Sequence, residues 1–169
     1  MRAGLVERLD ARLAPLGVQA VVSHGMPVLE IAPARLTDVV RALRDEFGFD
    51  MLLDVTAVDW LGHPGRTGDE RLRFEVVWHF LATGDCQRLR LKARVPEAAP
   101  EVDSLVPWYG AAAFMERECH DMLGIQFRGN ADLRPILLYE GFVGHPLRKD
   151  YDKHHEQPLV AYRDAGAPR

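Results

Sequence analysis

The densest set of chemically able side chains is Glu116-Arg117-Glu118-Cys119-His120-Asp121. On a helix, Arg117 and Asp121 are four positions apart, as are Glu116 and His120, and Glu118 and Asp121 are three apart. Each such pair meets on one flank. Two carboxylates there, one with a raised pKa, could do acid–base work. The same spacing fits an ion-pair network. The charges run beside Met115, Cys119 and Met122, and partly buried charges are costly unless paired. The spacing therefore predicts an internal or interface network before it predicts catalysis.

A second string is Leu133-Arg134-Pro135 followed by Gly144-His145-Pro146-Leu147-Arg148-Lys149-Asp150-Tyr151. Gly and Pro fix the backbone, while Arg, Lys, Asp and Tyr supply anchoring contacts of the kind found at interfaces. Taken alone it fits an interface or a plain solvated loop. Other strings carry less. In His154-His155-Glu156, adjacent side chains of an extended segment point opposite ways and chelate poorly, so a solvated tail is expected. No His-Glu-x-x-His pattern occurs, and His120 reads as a surface or network histidine. The glycine-rich stretch 62–68 joins a strand to a strand. A phosphate loop needs a strand-to-helix junction, so a flexible hairpin loop is expected. Cys86 and Cys119 form no Cys-x-x-Cys pair. They cannot supply the roughly four soft ligands of a cysteine-bound cluster or structural zinc.

These strings sit in a chain of 169 residues, 47% hydrophobic and 27% charged, with a formal net charge of −4. Such a chain can bury a real core in one domain. It is too apolar for intrinsic disorder, and too acidic for broad non-specific nucleic-acid binding. No run approaches the ~20 apolar residues of a membrane span. Residues 1–10 carry Arg2, Glu7, Arg8 and Asp10, so no signal peptide is expected. These features predict a reduced, cytoplasmic domain.

The elements that must position the strings follow from periodicity. Leu5, Val6, Leu9, Leu13 and Leu16 predict a helix closed by Gly17. Residues 18–24 and 28–31 predict a hairpin about a turn at 25–27. Leu36, Val39, Val40, Leu43 and Phe47 predict an amphipathic helix ending at Gly48. Residues 51–58 predict a strand. The alternations of Leu72, Phe74, Val76, Trp78 and Phe80, and of Leu89, Leu91, Ala93 and Val95, predict an antiparallel pair. A long helix is expected from about Ser104 to Leu123, with Trp108, Ala111, Ala112, Met115, Cys119 and Met122 on its buried stripe. The fold class is then α+β: a mixed or antiparallel sheet flanked by helices, with residues 1–124 as the domain. Residues 125–169 are too poor in core residues to fold alone, and are expected to be an extended C-terminal tail.

In combination, Glu116-Arg117-Glu118, Asp121-Met122-Leu123-Gly124-Ile125 and the string at 144–151 closely resemble the 30 kDa (C) subunit family of respiratory complex I, the NADH:quinone oxidoreductase. Asp54-Val55-Thr56-Ala57-Val58-Asp59-Trp60, the hairpin from Phe74 to Val95, and Trp108 also resemble it. The likeness covers about Leu5 to Tyr151. Three places depart from the family pattern: Gly129-Asn130-Ala131 stands where Gly-His-Pro is usual, Pro135 where a second basic residue is usual, and Phe114 where Trp is usual.

The resemblance implies a structural subunit of the hydrophilic arm, peripheral on the cytoplasmic face of the inner membrane. It implies no catalytic residue, bound cofactor or metal in this chain, with FMN and Fe–S clusters in other subunits. The partners implied are the quinone-site (D) subunit and neighbouring Fe–S subunits. Glu116, Arg117, Glu118 and Asp121 would position the helix and tail. Gly144, His145, Pro146, Arg148, Lys149, Asp150 and Tyr151 would form the docking motif, with the last four anchoring the tail on the partner. Two alternatives stand beside this. One is the homologous subunit of a membrane-bound [NiFe] hydrogenase or another donor:quinone oxidoreductase. The other is a free-standing acid–base enzyme using Glu118 and Asp121.

Overall fold

A computed structural model describes residues 4–65, 69 and 71–154. Residues 66–68 of the glycine-rich loop, and His155 and Glu156 of the histidine cluster, lie outside that set. Helix α1, Leu5–Leu13, buries Leu5, Leu9 and Leu13, the spacing of one helical face. Strands β1, Ala20–Ser23, and β2, Met26–Ile31, form an antiparallel hairpin. Its two-residue connection, His24-Gly25, has positive φ at both positions, which matches the twist of the flanking strands. Met26 and Pro27, expected in the turn, belong to β2. Helix α2, Leu36–Phe47, buries Leu36, Val39, Val40, Ala42 and Leu43, and stops at Gly48 with φ +74°.

Strands β3, Met51–Asp59, β4, Phe74–Ala82, and β5, Gln87–Val95, complete a five-stranded sheet in the order β1-β2-β5-β4-β3. All neighbours are antiparallel except β2 and β5. The β2–β5 pair is parallel because α2, β3 and β4 intervene, and a parallel pair needs such a crossover. The predicted alternations define the inner face. Phe74, Val76, Trp78 and Phe80 of β4 lie opposite Val95, Ala93, Leu91 and Leu89 of β5. All eight are buried, each of the larger ones contributing about 1.5–3 kcal/mol. The buried apolar residues of the three helices join this inner face in a single core cluster.

The long helix is shorter than its periodicity implied. Helix α3 spans Ala112–Leu123, and residues 104–111 are turns and irregular chain, with the Trp108 and Tyr109 N–H groups both donating to the Leu105 carbonyl. Pro107 and Gly110 account for the difference. Proline lacks an N–H and disfavours helix at the residue before it, and glycine weakens a helix interior. Trp108 still packs against the core from its turn, whereas Ala111 is exposed. A second, two-stranded sheet was not expected. It pairs β6, Glu101–Asp103, in parallel with β7, Gln126–Arg128. Ile125 and Phe127 are buried in the common core, so residues 125–128 are built into the domain. From 129 to 154 the chain forms turns and bends without strand or helix.

Candidate functional site

Helix α3 carries the first string, and each of its charges has a different fate. Glu116 is fully buried. Its Oε1 accepts from the Leu105 N–H at 2.7 Å, and its Oε2 accepts from Ser104 Oγ at 2.7 Å and Asn130 Nδ2 at 2.9 Å. Burial raises its pKa, and these three neutral donors only partly offset that. Asn130, one of the three departures from the family pattern, thus bridges the post-helix loop to Glu116. Asp121 points the other way. Its Oδ2 accepts from the consecutive N–H groups of Ile136, Leu137 and Leu138 at 3.0, 2.9 and 2.9 Å, a backbone nest around an anion. Burial would raise its pKa, but those N–H groups and His120 together lower it. Arg117 donates to the carbonyls of Arg134 and Pro135, both at 3.0 Å, and lies 3.7 Å from Asp132. Glu118 is exposed. The network therefore exists, but its partners are loops and tail rather than the expected i, i+4 neighbours.

The second string closes the end of α3. A helix leaves its last four carbonyls without intrahelical partners. Here Gly124 N–H donates to the His120 carbonyl, and Leu147 N–H to that of Met122. His145 Nδ1 donates to the Asp121 carbonyl at 2.9 Å, and Arg148 Nε to that of Leu123 at 2.7 Å. Three of the four caps thus come from the Gly-His-Pro-Leu-Arg string, and the Arg148 cation also suits the negative end of the helix dipole. Gly124 makes this possible. Its φ is +76°, and a Cβ there would collide with Arg148 Nη2 and lie 2.6 Å from His145 Nε2. Gly144 is similarly constrained, with φ +96° and Tyr151 Cε2 at 3.0 Å from a Cβ position. Tyr151 stacks on Phe142 at 6.1 Å, and Pro146 is half-buried.

Asp150 and Lys149 reach a node that sequence reasoning missed. Arg73, just before β4, is 1% exposed. Its Nε and Nη2 hold Asp59 at 2.9 and 2.6 Å. Nη1 and Nη2 hold Asp150 at 2.9 and 2.6 Å, and Nη1 also holds Glu97 at 2.6 Å. All five guanidinium N–H groups are used. The Lys149 N–H donates to Asp59 Oδ2 at 2.8 Å, and that of Leu61 to Oδ1 at 2.9 Å. Burial would raise the Asp59 pKa, but the guanidinium and these two N–H groups bring it down to about 2. Both Arg73 and Arg148 lie over the Phe74 ring, at 4.9 and 5.1 Å. Arg148 and Asp150, read as anchors onto a partner, thus have their side chains engaged on this chain's own domain. A signal for Arg73 was available: pairing residues 51–59 with 74–82 sets Asp59 opposite Phe74, and so beside the cation at 73.

The tail fixed in this way exposes a set of apolar side chains among its charged ones. Phe114 of α3, with Ile136, Leu137, Tyr139, Val143 and Leu147 of the tail, are exposed large hydrophobic residues. Phe114 and Val143 are 64% and 65% exposed. Among the described residues, no group of three or more His, Cys, Asp or Glu is placed to hold a metal. No helix there is long and apolar enough to cross a membrane. The pair Glu118 and Asp121 is unsuited to acid–base work, because three N–H donors fix Asp121 as an anion.

Residues 29–157 match the family described as the respiratory-chain NADH dehydrogenase 30 Kd subunit. The chain is 46% identical over 136 residues to the NADH-quinone oxidoreductase C subunit of Rhodobacter capsulatus, covering 79% of this chain and 64% of that protein. It is 40% identical over 150 residues to the NADH-quinone oxidoreductase C/D subunit of Bdellovibrio bacteriovorus, covering 85% of this chain and 25% of that one. Among solved structures, the trypsin-resistant fragment (1–134) of Nqo5 superposes with a TM-score of 0.66 at 28% identity, covering 75% of this chain and 98% of the fragment. The chain belongs to the 30 kDa subunit family of the respiratory-chain NADH dehydrogenase.

Proposed function

We propose that this chain is a structural, non-catalytic subunit of the peripheral arm of a proton-translocating NADH:quinone oxidoreductase, on the cytoplasmic face of the inner membrane. The observation that carries this reading is a tail locked by many polar contacts that nevertheless shows apolar side chains outward. Such a surface is costly in water and marks an association site. Its partner in this reading is the quinone-site (D) subunit, to which the C/D name of the Bdellovibrio protein lends support. The redox groups, FMN and Fe–S clusters, belong to other subunits of the complex. The test is affinity isolation of the complex through a tag on this chain, with Val143→Asp and Leu147→Asp as variants. The wild type should bring down the quinone-site subunit and NADH-dependent quinone reduction, and the double variant should lose both. A wild-type chain that purifies with partners lacking that activity would overturn the assignment.

A further inference from the structure

The sheet face turned away from the helices is a different kind of surface. Alternate residues of β5 there are Arg88, Arg90, Lys92 and Arg94. At roughly 7 Å per two residues they form a row about 20 Å long. By register their neighbours are Leu81, His79, Val77 and Glu75 of β4, and Val28 and Glu30 of β2. Val28 and Val77 are buried yet lie outside the main core cluster. The aliphatic stems of the adjacent cations are their natural cover.

Charge is unevenly matched along this row. At one end buried Glu75 takes both Lys92, at 3.0 Å, and Arg94, at 3.4 Å. At the other end Arg90 Nε donates to Nε2 of His79 at 3.2 Å. Burial and Arg90 lower the His79 pKa against the opposing pull of Asp54, and an imidazole acceptor in any case brings no negative charge. Among the described residues neither Arg88 nor Arg90 is paired with a carboxylate. Two guanidinium groups therefore stand together on an open sheet face of a chain whose net charge is −4. On the same face, exposed Glu30 of β2 lies opposite Lys92, and exposed Asp54 of β3 lies opposite His79, one strand beyond Arg90.

We infer that the Arg88–Arg90 end of this open sheet face is a second docking surface, separate from the α3–tail surface, and that it takes an acidic polypeptide segment of another member of the complex. Charge complementarity defines the occupant. The flanking Glu30 and Asp54 favour a polypeptide over a membrane. A uniformly anionic lipid surface would meet both carboxylates as like charges, whereas a polypeptide can place acids on Arg88 and Arg90 alone.

The test uses the complex isolated through a tag on this chain. Arg88→Lys supplies an amine that carbodiimide joins, without a spacer, to a touching carboxylate. The expected product links position 88 to an Asp or Glu of another subunit. The Arg88→Glu/Arg90→Glu double variant should lower retention of the chain in the complex by about tenfold at moderate salt, with the purified chain still melting in one cooperative transition. Should that variant fold poorly, Arg88→Gln/Arg90→Gln should show a smaller loss in the same direction. No inter-subunit link together with unchanged retention overturns the inference. So do links only to a second copy of this chain, or binding of the wild type but not the double variant to phosphatidylglycerol vesicles in place of an inter-subunit link.

Discussion

Between β4 and β5, four facing pairs of apolar side chains hold the domain, and each needs only volume and shape. Between α3 and the tail, the contacts run from one named donor to one named acceptor, as at Asp121 with Ile136–Leu138 or Arg148 with the Leu123 carbonyl. The first region tolerates conservative exchange, because volume-conserving apolar swaps in a core usually cost under ~1.5 kcal/mol. The second tolerates little, because a buried polar atom left without its partner costs more than the bond was worth. The tail is thus ordered by chemistry that contributes little core, which leaves its apolar side chains free to face outward.

The sharpest way to break this contrast is Arg73→Met. It strands buried Asp59, and breaking such a pair costs about 3–5 kcal/mol, so a shifted denaturation midpoint is expected along with release of residues 149–151. Arg73→Met with Asp59→Leu should recover much of the loss. Asp150→Asn, on a half-exposed partner, should cost far less, since exposed pairs contribute about 0–1 kcal/mol. Equal losses for Asp150→Asn and Arg73→Met would refute the primacy of the buried pair.

Glu116→Ala comes next. It leaves the Leu105 N–H, Ser104 Oγ and Asn130 Nδ2 without an acceptor, at about 1–3 kcal/mol for each buried group that water cannot reach. Equilibrium unfolding measures it, and an unchanged midpoint would show that water replaces the carboxylate. Gly124→Ala should cost the sheet little and the tail much. A left-handed backbone adds about 1–2 kcal/mol for an L side chain, and the new methyl displaces His145 and Arg148. Hydrogen exchange should accelerate at Leu147 while β4 and β5 stay protected. Acceleration throughout the sheet would mean that tail and domain unfold as one unit.

The smallest effect is the response to acid. Asp59 has a folded pKa of about 2, below its ordinary value of 3.8. Its contribution is complete above about pH 4 and is lost as pH falls through 2. Asp150 is lowered by Arg73 in the same sense. Glu116 is raised, so its contribution is greatest at low pH and declines as pH rises through its folded value. Acidification from pH 4 to 2 should therefore loosen residues 149–151 before the surroundings of Glu116, as residue-resolved NMR would show. The reverse order would contradict these assignments.

Much of the fold was legible because its signals are local. The stripe of α2 and the alternations of β4 and β5 repeat within a few residues and end at turns. The β6–β7 pair was not legible, since two three-residue strands pair across 25 positions and neither has a period of its own. The helix expected from Ser104 failed because apolar spacing continued through Pro107 and Gly110. At the site, the charged string on α3 and the string at 144–151 were both picked out, yet their partners were not. Glu116 binds loops on either side of its helix, and Arg73 sits between the apolar Leu72 and Phe74, where only the strand pairing brings Asp59 to it.

Capping α3 from a distance sets an order of events during synthesis. The helix ends at Leu123, but the groups that close its last turn arrive with residues 145–148. Domains fold largely from the N-terminus as they emerge. On a growing chain, α3 therefore has frayed final carbonyls until the later string has left the ribosome. A transcript truncated between 124 and 145 would release a sheet domain with an open helix end, and that end is a natural mark for quality control to read.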